Sequence, residues 1–516
     1  MAEYLDLLMF GGLVIAVLSG FPVAFSIAGT AILFAFLGWS LGVMNLNLLG
    51  AMSQRIFGLL TNNVLIAIPL FVLMGAILEK SRIAEDMLDT MGRSFGQLRG
   101  GLGISVILVG MLLAASTGIV GATVVAMGMI ALPTMLRAGY NPRVASGLVC
   151  SAGTLGQIIP PSTLLIILSD VVSNSYQQAQ YEQGKFSIET ISVGQIFASA
   201  LLPGLTLVGL YILYVLLRGW LRPEDMPAAP ADAPRPPLSE IAQAILPAIL
   251  LILAVLGAIL SGIASPTEAA SVGGIGAVLM AAVKAGAGRR FVLLGTACLI
   301  LLAIGAGVFP VRLQRSDLTP GMYVLGGLYV VLTLVGVGAI LVALRSMITQ
   351  GVLQPALNST LSMTSMIFAT ILSAGIFSLV FIGLGGEERV HGFLSAMPGG
   401  PAGALIFSML FIFVLGFFLD FVEISVIVLP LVMPTLIIMG HDPIWLSVLI
   451  AINLQTSFLT PPFGFSLFYL RGAAPKEVTT GMIYAGVSPF IVIQILAVAL
   501  IWFFPAIATT LPKLLF

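Results

Sequence analysis

Apolar residues fill the chain in long blocks, and short polar segments separate these blocks. A membrane-spanning helix needs about 20 predominantly apolar residues, and about a dozen blocks approach or exceed that length. Two of them, 102–136 and 402–438, are too long for one span at a rise of about 1.5 Å per residue. Each predicts a long tilted helix or two half-length helices in a re-entrant hairpin. The blocks are 7–38, 57–78, 102–136, 143–169, 193–218, 243–263, 266–283, 291–310, 322–343, 360–383, 402–438, 444–470 and 479–506.

Composition assigns these blocks to a lipid bilayer. The chain is 59% hydrophobic and 8% charged, whereas a soluble domain is about 25% charged. Its net charge of zero gives no indication of a nucleic-acid partner. The first block follows Met1–Asp6 and is too long for a cleavable signal peptide, so we predict that it is the first span. Cys150 and Cys298 lie inside apolar blocks and are predicted to be core residues.

Two segments of the chain match each other at a constant offset of 301 residues. The alignment needs no gap and brings three proline-containing landmarks into register. Chance similarity between apolar segments is common, but three landmarks at one offset indicate an internal duplication. The matched landmarks are Ala131–Thr134 with Val432–Thr435, Gly139–Pro142 with Gly440–Pro443, and Pro160–Pro161 with Pro461–Pro462.

Charged loops predict that the two repeats are inverted in the membrane. The loop 137–143 contains Arg137 and Arg143, whereas its partner 439–445 has neither Lys nor Arg. Cytoplasmic loops are enriched in Lys and Arg, so the first loop is predicted inside and the second outside. Most other loops agree if both long blocks are hairpins that return to their own side, with 170–192 and 385–400 outside, but Arg55, Arg312 and Arg315 do not fit this orientation. This predicts about eleven full spans, two hairpins and an inner N-terminus.

Inverted repeats with interrupted helices are typical of secondary transporters, whose binding site lies where the repeats meet. The alternative is a channel built from inverted repeats. The chain contains no GxxxxGK[ST] phosphate loop and therefore does not hydrolyse ATP by that route. It also lacks a nucleophile–base pattern and a His or Cys metal cluster in sequence, so we do not expect an enzyme.

Each repeat contains a helix that its own sequence interrupts, within Gly153–Ser162 and within Asn453–Gly464. Two consecutive prolines remove two backbone donors and clash with the preceding turn, which leaves about four carbonyl groups without helical partners. Such groups are costly in hydrocarbon unless something satisfies them, and a sodium ion is one candidate. The half-helix after the prolines presents free N–H groups to an anion. The alternative is a kink retained for packing.

The predicted hairpin tips are the second candidate feature. The first changes character at Ala114–Gly118 and continues to Thr123, with small and hydroxyl residues at mid-membrane. The second lies near Gly416–Glu423 and contains Asp420 and Glu423, which are three residues apart on one helical face. A carboxylate within an apolar block is a candidate functional residue. The alternative is that both are helix caps at an aqueous cavity.

These motifs together resemble the large membrane subunit of TRAP transporters, the DctM type. The resemblance covers about residues 8–285 and 345–508, and it is carried by both Pro-Pro breaks, the Gly139-Tyr140 loop and Ile68–Gly75. It implies a sodium-driven elevator-type carrier of small organic acids in the bacterial inner membrane. A small membrane subunit of the DctQ type and a periplasmic binding protein of the DctP type would be its partners, with no tightly bound cofactor.

The resemblance also implies one sodium ion between each hairpin tip and its matching break. The first sodium site would use Ser116 and Thr117 with the carbonyls of Gly156, Ile159 and Pro161, and the second would use Gly416, Ser457, Thr460 and Phe463. The residues expected to bind the substrate are Ser116, Thr123, Ser162, Thr163, Asp420 and Asn453. Relatives usually have a Ser-Gly-Ser tip where this chain has Ser116-Thr117-Gly118, and a Gly where Ser457 stands.

The resemblance divides the chain between a scaffold and a transport domain. Residues 286–344 form two spans that typical members lack, and the small subunit is expected on a separate polypeptide. The rival functions are the permease of an ATP-driven importer and a standalone ion-coupled carboxylate carrier. The predicted units are 1–100 and 193–285 (with an inner linker at 219–242) in the scaffold, 101–192 and 401–478 in the transport domain, 286–344 as extra spans, 345–400 as the entry helices of the second repeat, and 479–516 as the last span.

Overall fold

The computed structural model of the chain describes residues 4–118, 120–229, 236–286, 288–311 and 319–516, with residues 114–117 described by their backbone only. Over these residues the regular structure is entirely helical. The first twelve helices are α1 (Leu5–Leu18), α2 (Val23–Ser40), α3 (Ala51–Leu60), α4 (Ala67–Lys80), α5 (Ile83–Phe95), α6 (Gly101–Thr117), α7 (Val120–Arg137), α8 (Pro142–Thr154), α9 (Thr163–Glu182), α10 (Val193–Leu221), α11 (Leu238–Leu260) and α12 (Pro266–Ala285).

The C-terminal part continues with an additional helical pair and then the second repeat. These helices are α13 (Arg289–Val308), α14 (Pro320–Thr349), α15 (Leu353–Gly383), α16 (Gly386–Ser395), α17 (Gly400–Leu415), α18 (Phe421–Glu423), α19 (Leu429–Ile438), α20 (Pro443–Leu459), α21 (Phe465–Ala473), α22 (Thr480–Phe503) and α23 (Ala506–Leu515). A π-helical turn, Ile424–Val428, joins α18 to α19.

Length and hydropathy confirm the all-α polytopic membrane fold. Among the described residues, ten helical segments are long and apolar enough to cross a bilayer, whereas about eleven full spans and two hairpins were expected. Two of the ten, Val120–Arg137 and Phe421–Ile438, are the returning arms of the predicted hairpins. The long blocks 102–136 and 402–438 are therefore each divided into two arms, as the hairpin interpretation predicted.

Both hairpins return to the side from which they start. At the base of the first hairpin, the backbone N–H of Gly103 donates to the Tyr140 hydroxyl at 3.4 Å. Burial raises the pKa of Tyr140 to about 12, so this hydroxyl stays protonated at physiological pH. At the base of the second hairpin, Nε2 of His441 lies 3.0 Å from the carbonyl oxygen of Pro401.

Contacts at the far end of α9 place the two hairpin bases on opposite sides. The helix α8 begins at the base of the first hairpin, and α8 and α9 together are long enough to cross a bilayer. Near the end of α9, the Gln178 amide donates to Glu387 of α16 at 2.5 Å. Because α16 directly precedes the second hairpin, the end of α9 lies at that hairpin's base. The inverted orientation of the repeats is thus confirmed.

The N-terminal block does not form the single span that its apolar pattern predicts. It divides at Gly20, whose φ is +81°, and at Pro22, which precedes α2. In the first turn of α1, Asp6 forms an ion pair of 2.5 Å with Arg389 of α16. The N-terminus therefore lies on the same side as 385–400, so the predicted combination of an inner N-terminus and an outer 385–400 is wrong.

Helices α1 and α2 form a third hairpin that returns to its starting side. At the end of α2, a Cβ atom on Gly38 would lie 2.8 Å from the side chain of Leu384, which directly follows α15. Leu384 and Arg389 belong to the same short connection, so both ends of the α1–α2 pair meet it. The prediction failed because an uninterrupted apolar block gives no hydropathy signal for a turn at Gly20–Pro22.

Part of the predicted inner linker, residues 223–229, packs against the rest of the protein. Asp225 is buried, and its carboxylate lies 2.7 Å from the Arg218 guanidinium and accepts from the Asn141 amide at 2.7 Å. Further along, the N–H of Ala229 donates to the carbonyl of Gly96 at 2.6 Å. Residues 223–229 therefore bind to the base of the first hairpin, and 230–235 lie outside the described residues.

The extra segment 286–344 forms α13 and most of α14, as predicted. Small residues hold these two helices close together: a Cβ atom on Gly295 would overlap Ala339, and one on Gly336 would overlap Leu299. The broken helices lie at the centre of the molecule, since every residue of 144–154 and of 445–459 is buried. The division into scaffold and transport units stays a prediction.

Candidate functional site

The first break is a short, fully buried segment between α8 and α9. After α8 the chain forms one 3-10 turn, Leu155–Gln157, and α9 begins at Thr163. The Ser162 hydroxyl donates to the Gln157 carbonyl at 2.9 Å and accepts from the N–H of Leu165 at 3.1 Å. One serine thus satisfies a carbonyl released before the prolines and an N–H at the start of the next half-helix.

The second break repeats this arrangement with a different serine. The helix α20 ends at Leu459, and Ser466 in the following half-helix donates its hydroxyl to the carbonyl of Phe458 at 2.7 Å. Gln157 and Phe458 are 301 residues apart, so the same carbonyl is satisfied in both repeats. The sequence argument left this carbonyl free for a cation. The structure assigns it to a serine, and it lies outside the expected sodium ligands.

Each hairpin tip contacts its own break through a glycine. At the first tip, Gly118 has a φ of +63°, and a Cβ atom there would lie 2.6 Å from the backbone nitrogen and hydroxyl of Thr163. At the second tip, a Cβ atom on Gly416 would overlap the hydroxyl of Ser457. Glycine is therefore required at both contacts. The side chains of Ser116 and Thr117 lie outside the described residues.

The remaining expected sodium ligands lie at the two breaks. Gly156, Ile159 and Pro161 are buried in the first break, and Ser457 is buried at the end of α20. The Thr460 hydroxyl donates to the Thr456 carbonyl at 2.7 Å. Phe463 is 46% exposed, and its ring centroid lies 5.6 Å from that of Phe418 at the second tip. The structure thus places Gly416, Ser457 and Phe463 close to the tip of the second hairpin.

The expected substrate-binding residues divide into those at the breaks and those that are farther away. Ser162 and Thr163 begin α9 and are fully buried, and the Thr163 hydroxyl has no hydrogen-bond partner within the described part of the chain. Thr123 is buried in α7. Asn453 lies one turn before Ser457 in α20, and its amide donates to the Met409 carbonyl at 2.7 Å, which fastens α20 to the hairpin arm α17.

The two intramembrane carboxylates lie at the start of the second hairpin's returning arm. Asp420 is the N-cap of α18, and its side chain accepts from the N–H of Phe421 at 2.7 Å. Glu423 is 6% exposed, and its Oε2 has no hydrogen-bond partner among the described residues. The π-helical turn follows directly, a distortion that often marks functional sites. The capping alternative raised by the sequence therefore describes the Asp420 geometry.

Sequence reasoning missed three glutamines that lie in or beside the site. Gln157 in the first break is fully buried, and neither amide atom has a partner among the described residues. Gln455 in α20 and Gln494 in α22 are equally buried, and each uses its amide nitrogen but not its amide oxygen. A polar amide within an apolar block was the available signal, but it does not indicate which partner the side chain meets.

Comparisons with known proteins agree with this architecture. Residues 10–507 match the family model for the "Tripartite ATP-independent periplasmic transporter, DctM component". The C4-dicarboxylate TRAP transporter large permease protein DctM of Vibrio cholerae is 28% identical over 96% of this chain and 95% of its own. The sialic acid TRAP transporter large permease protein SiaM of the same species is 23% identical over 96% of each chain.

A solved structure supports the fold independently. The YdaH transporter of Alcanivorax borkumensis superimposes with a TM-score of 0.50 at 14% identity, covering 89% of this chain and 88% of that one. The description of the family as ATP-independent rules out the rival function, the permease of an ATP-driven importer. The family forms tripartite systems, and its members are multi-pass proteins of the bacterial inner membrane rather than enzymes. The chain therefore belongs to the DctM family, the large permease subunits of TRAP transporters.

Proposed function

We propose that this chain imports a small organic acid with sodium ions, after a periplasmic binding protein delivers the acid and while a small membrane subunit braces the permease. The observation that carries the proposal is the contact of each hairpin tip with a Pro-Pro break, Gly118 with Thr163 and Gly416 with Ser457. A tip and a break together bring backbone oxygens, hydroxyls and a half-helix N-terminus into one place.

Sodium is the cation that this chemistry favours. A small hard cation prefers oxygen ligands, and backbone carbonyls released by prolines supply them without adding charge. The first site would use Ser116, Thr117, Gly156, Ile159 and Pro161, and the second Gly416, Ser457, Thr460 and Phe463. The burial of Gly156 and Ser457 at equivalent positions supports a matched pair of sites.

A carboxylate substrate fits beside the first break. The helix α9 begins there with its free N–H groups and positive dipole end, which favour an anion. The Thr163 hydroxyl, which has no hydrogen-bond partner among the described residues, would donate to that anion. The relatives named above are described by acidic substrates, a C4-dicarboxylate and sialic acid. The substrate site would comprise Ser116, Thr123, Ser162, Thr163, Asp420 and Asn453.

An elevator movement would carry this site across the membrane. The arms of both hairpins pack against the broken helices, α6 and α7 against α8 and α17 against α20, and this packing supports their movement as a unit. The short helices α5 and α16 each lead directly into a hairpin, so they are suited to connect a moving body to a static one. The bound acid would then be exposed first to the periplasm and afterwards to the cytoplasm.

Reconstituted transport tests the proposal. The purified chain, its small subunit and the binding protein loaded with a screened acid are placed in proteoliposomes. Uptake is expected with an inward sodium gradient, and it should disappear when potassium or choline replaces sodium. It should also disappear without the binding protein, which separates a tripartite carrier from a standalone one. Undiminished uptake in potassium would overturn sodium coupling.

A further inference from the structure

The two broken helices touch each other at the same position of each repeat. The Gln455 amide nitrogen donates to the Thr154 hydroxyl at 3.2 Å, and these residues are 301 apart, which is the repeat offset. Both side chains are completely buried. A contact between equivalent positions of two inverted repeats lies on the axis that relates the repeats. This hydrogen bond therefore joins α8 and α20 at the centre of the molecule.

The contact belongs to a longer polar chain through the apolar core. The Thr154 hydroxyl donates to the Ser151 carbonyl at 2.9 Å. On the other side, the Tyr211 hydroxyl interacts with the Thr154 side chain and accepts from the Gln494 amide at 2.8 Å. Four helices, α8, α10, α20 and α22, thus meet through side chains that are fully buried.

Three polar atoms of the residues in this hydrogen-bonded network have no hydrogen-bond partner within the described residues. They are the amide oxygens of Gln455 and Gln494 and the hydroxyl oxygen of Ser151. Buried polar groups in proteins are nearly always satisfied, and ordered water is the usual partner where no protein group reaches. A water molecule supplies the donors that two amide oxygens require. The unpartnered atoms therefore indicate buried water along the axis.

The position of the bridge relates it to both proposed sodium sites. Thr154 lies two residues before Gly156, and Gln455 lies two residues before Ser457. Gly156 and Ser457 are the equivalent expected ligands of the two sites. The Thr154–Gln455 hydrogen bond therefore connects the ends of the two half-helices directly, so a change in backbone position at one break can reach the other through it.

We propose that Thr154 and Gln455, completed by buried water, are positioning residues that make sodium binding at one break favour sodium binding at the other. This inference rests on the proposed sodium sites. The bridge does not ligate sodium itself. It holds the ends of the two half-helices in one relative position, so that the first ion arranges the carbonyls for the second.

A sodium titration of the purified complex with its small subunit tests the bridge. Thermal stabilisation is measured against sodium concentration, with choline keeping the ionic strength constant. The wild-type complex is expected to show a Hill coefficient approaching the number of sites, about two. Gln455→Met and Thr154→Val should lower it towards one and raise the midpoint about tenfold. Thr154→Ser restores the hydroxyl and should keep the cooperativity.

Two further variants make the test independent of folding. Gln455→Asn keeps an amide but withdraws it by one methylene, and the same loss of cooperativity is expected. Gln180→Met removes another buried amide, at the outer end of α9, where it accepts from the N–H of Glu189 and donates to that residue's carbonyl. It should lower the melting temperature without changing the Hill coefficient.

The outcomes separate this inference from the proposed function. A wild-type complex that sodium does not stabilise beyond choline would overturn the sodium sites themselves. Cooperative wild-type binding that survives unchanged in Gln455→Met, Gln455→Asn and Thr154→Val would overturn only the bridge. Variants that melt earlier with an unchanged Hill coefficient would give the bridge a structural role alone and would equally overturn the inference.

Discussion

A Cβ atom on Gly416 would overlap the hydroxyl oxygen of Ser457, so the second hairpin tip and the second break are in direct contact. The Ser457 hydroxyl is itself held by a hydrogen bond of 3.0 Å to the Leu454 carbonyl, which limits its freedom to move away. The contact leaves no space for a side chain at the tip. Any substituent at Gly416 must displace the tip from the break.

Gly416→Ala is therefore expected to weaken transport strongly. A displacement of the tip by about 1 Å separates the oxygens that are proposed to hold the second sodium ion, and misplacements of that size cost about tenfold or more in rate. Sodium-dependent uptake should need a higher sodium concentration. Gly472→Ala is the matched control, because its added Cβ would meet nothing within 4 Å. Equal effects of both substitutions would contradict the contact's role.

Side-specific labelling is expected to find the N-terminus outside. A tag before Met1 should be accessible in intact spheroplasts, because Asp6 contacts Arg389 in the outer connection. In a background without Cys150 and Cys298, a cysteine at the exposed position His391 should react from outside. A cysteine at the exposed position Ala138 should react only from inside. Labelling of both cysteines from the same side would end the inverted arrangement.

Asp225→Asn should destabilise the inner base of the first hairpin. The substitution removes the charge that pairs with Arg218 and weakens the acceptor for the Asn141 amide. Losing a charged hydrogen bond of this kind costs about 1–3 kcal/mol of unfolding free energy. Thermal unfolding in detergent measures it, with Glu224→Gln as the control because the neighbouring Glu224 is exposed. An unchanged melting temperature would show that the contacts of residues 223–229 do not stabilise the base of the first hairpin.

Asp420→Asn distinguishes a role in coupling from a role in capping. Asn preserves the shape and the acceptor that caps the N–H of Phe421, and it removes the charge. If the carboxylate supports the nearby sodium ion, the assembled variant should transport slowly and need more sodium. If Asp420 is only a cap, its replacement by Asn should cost a few tenths of a kcal/mol or less, because Asn caps a helix about as well as Asp. Wild-type sodium dependence in Asp420→Asn would leave the second site to backbone oxygens and Thr460.

The features that occur in both repeats could be predicted from the sequence, because each copy of a duplicated pattern supports the interpretation of the other. The paired Pro160–Pro161 and Pro461–Pro462 breaks located both broken helices, and the charges Arg137 and Arg143 gave the inversion. The turn at Gly20–Pro22 was missed, because an apolar block that doubles back in lipid has the same hydropathy as one that crosses.

Contacts between residues that are distant in the sequence could not be predicted either. The segment 223–229 is rich in Pro and Ala, which is typical of a linker, and only the fold brings Asn141 to Asp225. The alignment paired Thr154 with Gln455 as equivalent positions but gave no indication that the two touch. Whether equivalent residues meet depends on where the axis between the repeats lies, and this is a property of packing rather than of pattern.

The sodium-to-substrate stoichiometry tests the central claim most directly. In proteoliposomes with the small subunit and the loaded binding protein, opposing substrate and sodium gradients are varied until net flux of the labelled acid stops. If one ion binds at each of the two breaks, the balance point should correspond to at least two sodium ions per substrate, and Gly416→Ala should disturb it whereas Gly472→Ala should not. A balance point that does not move with the sodium gradient would contradict sodium coupling at both breaks.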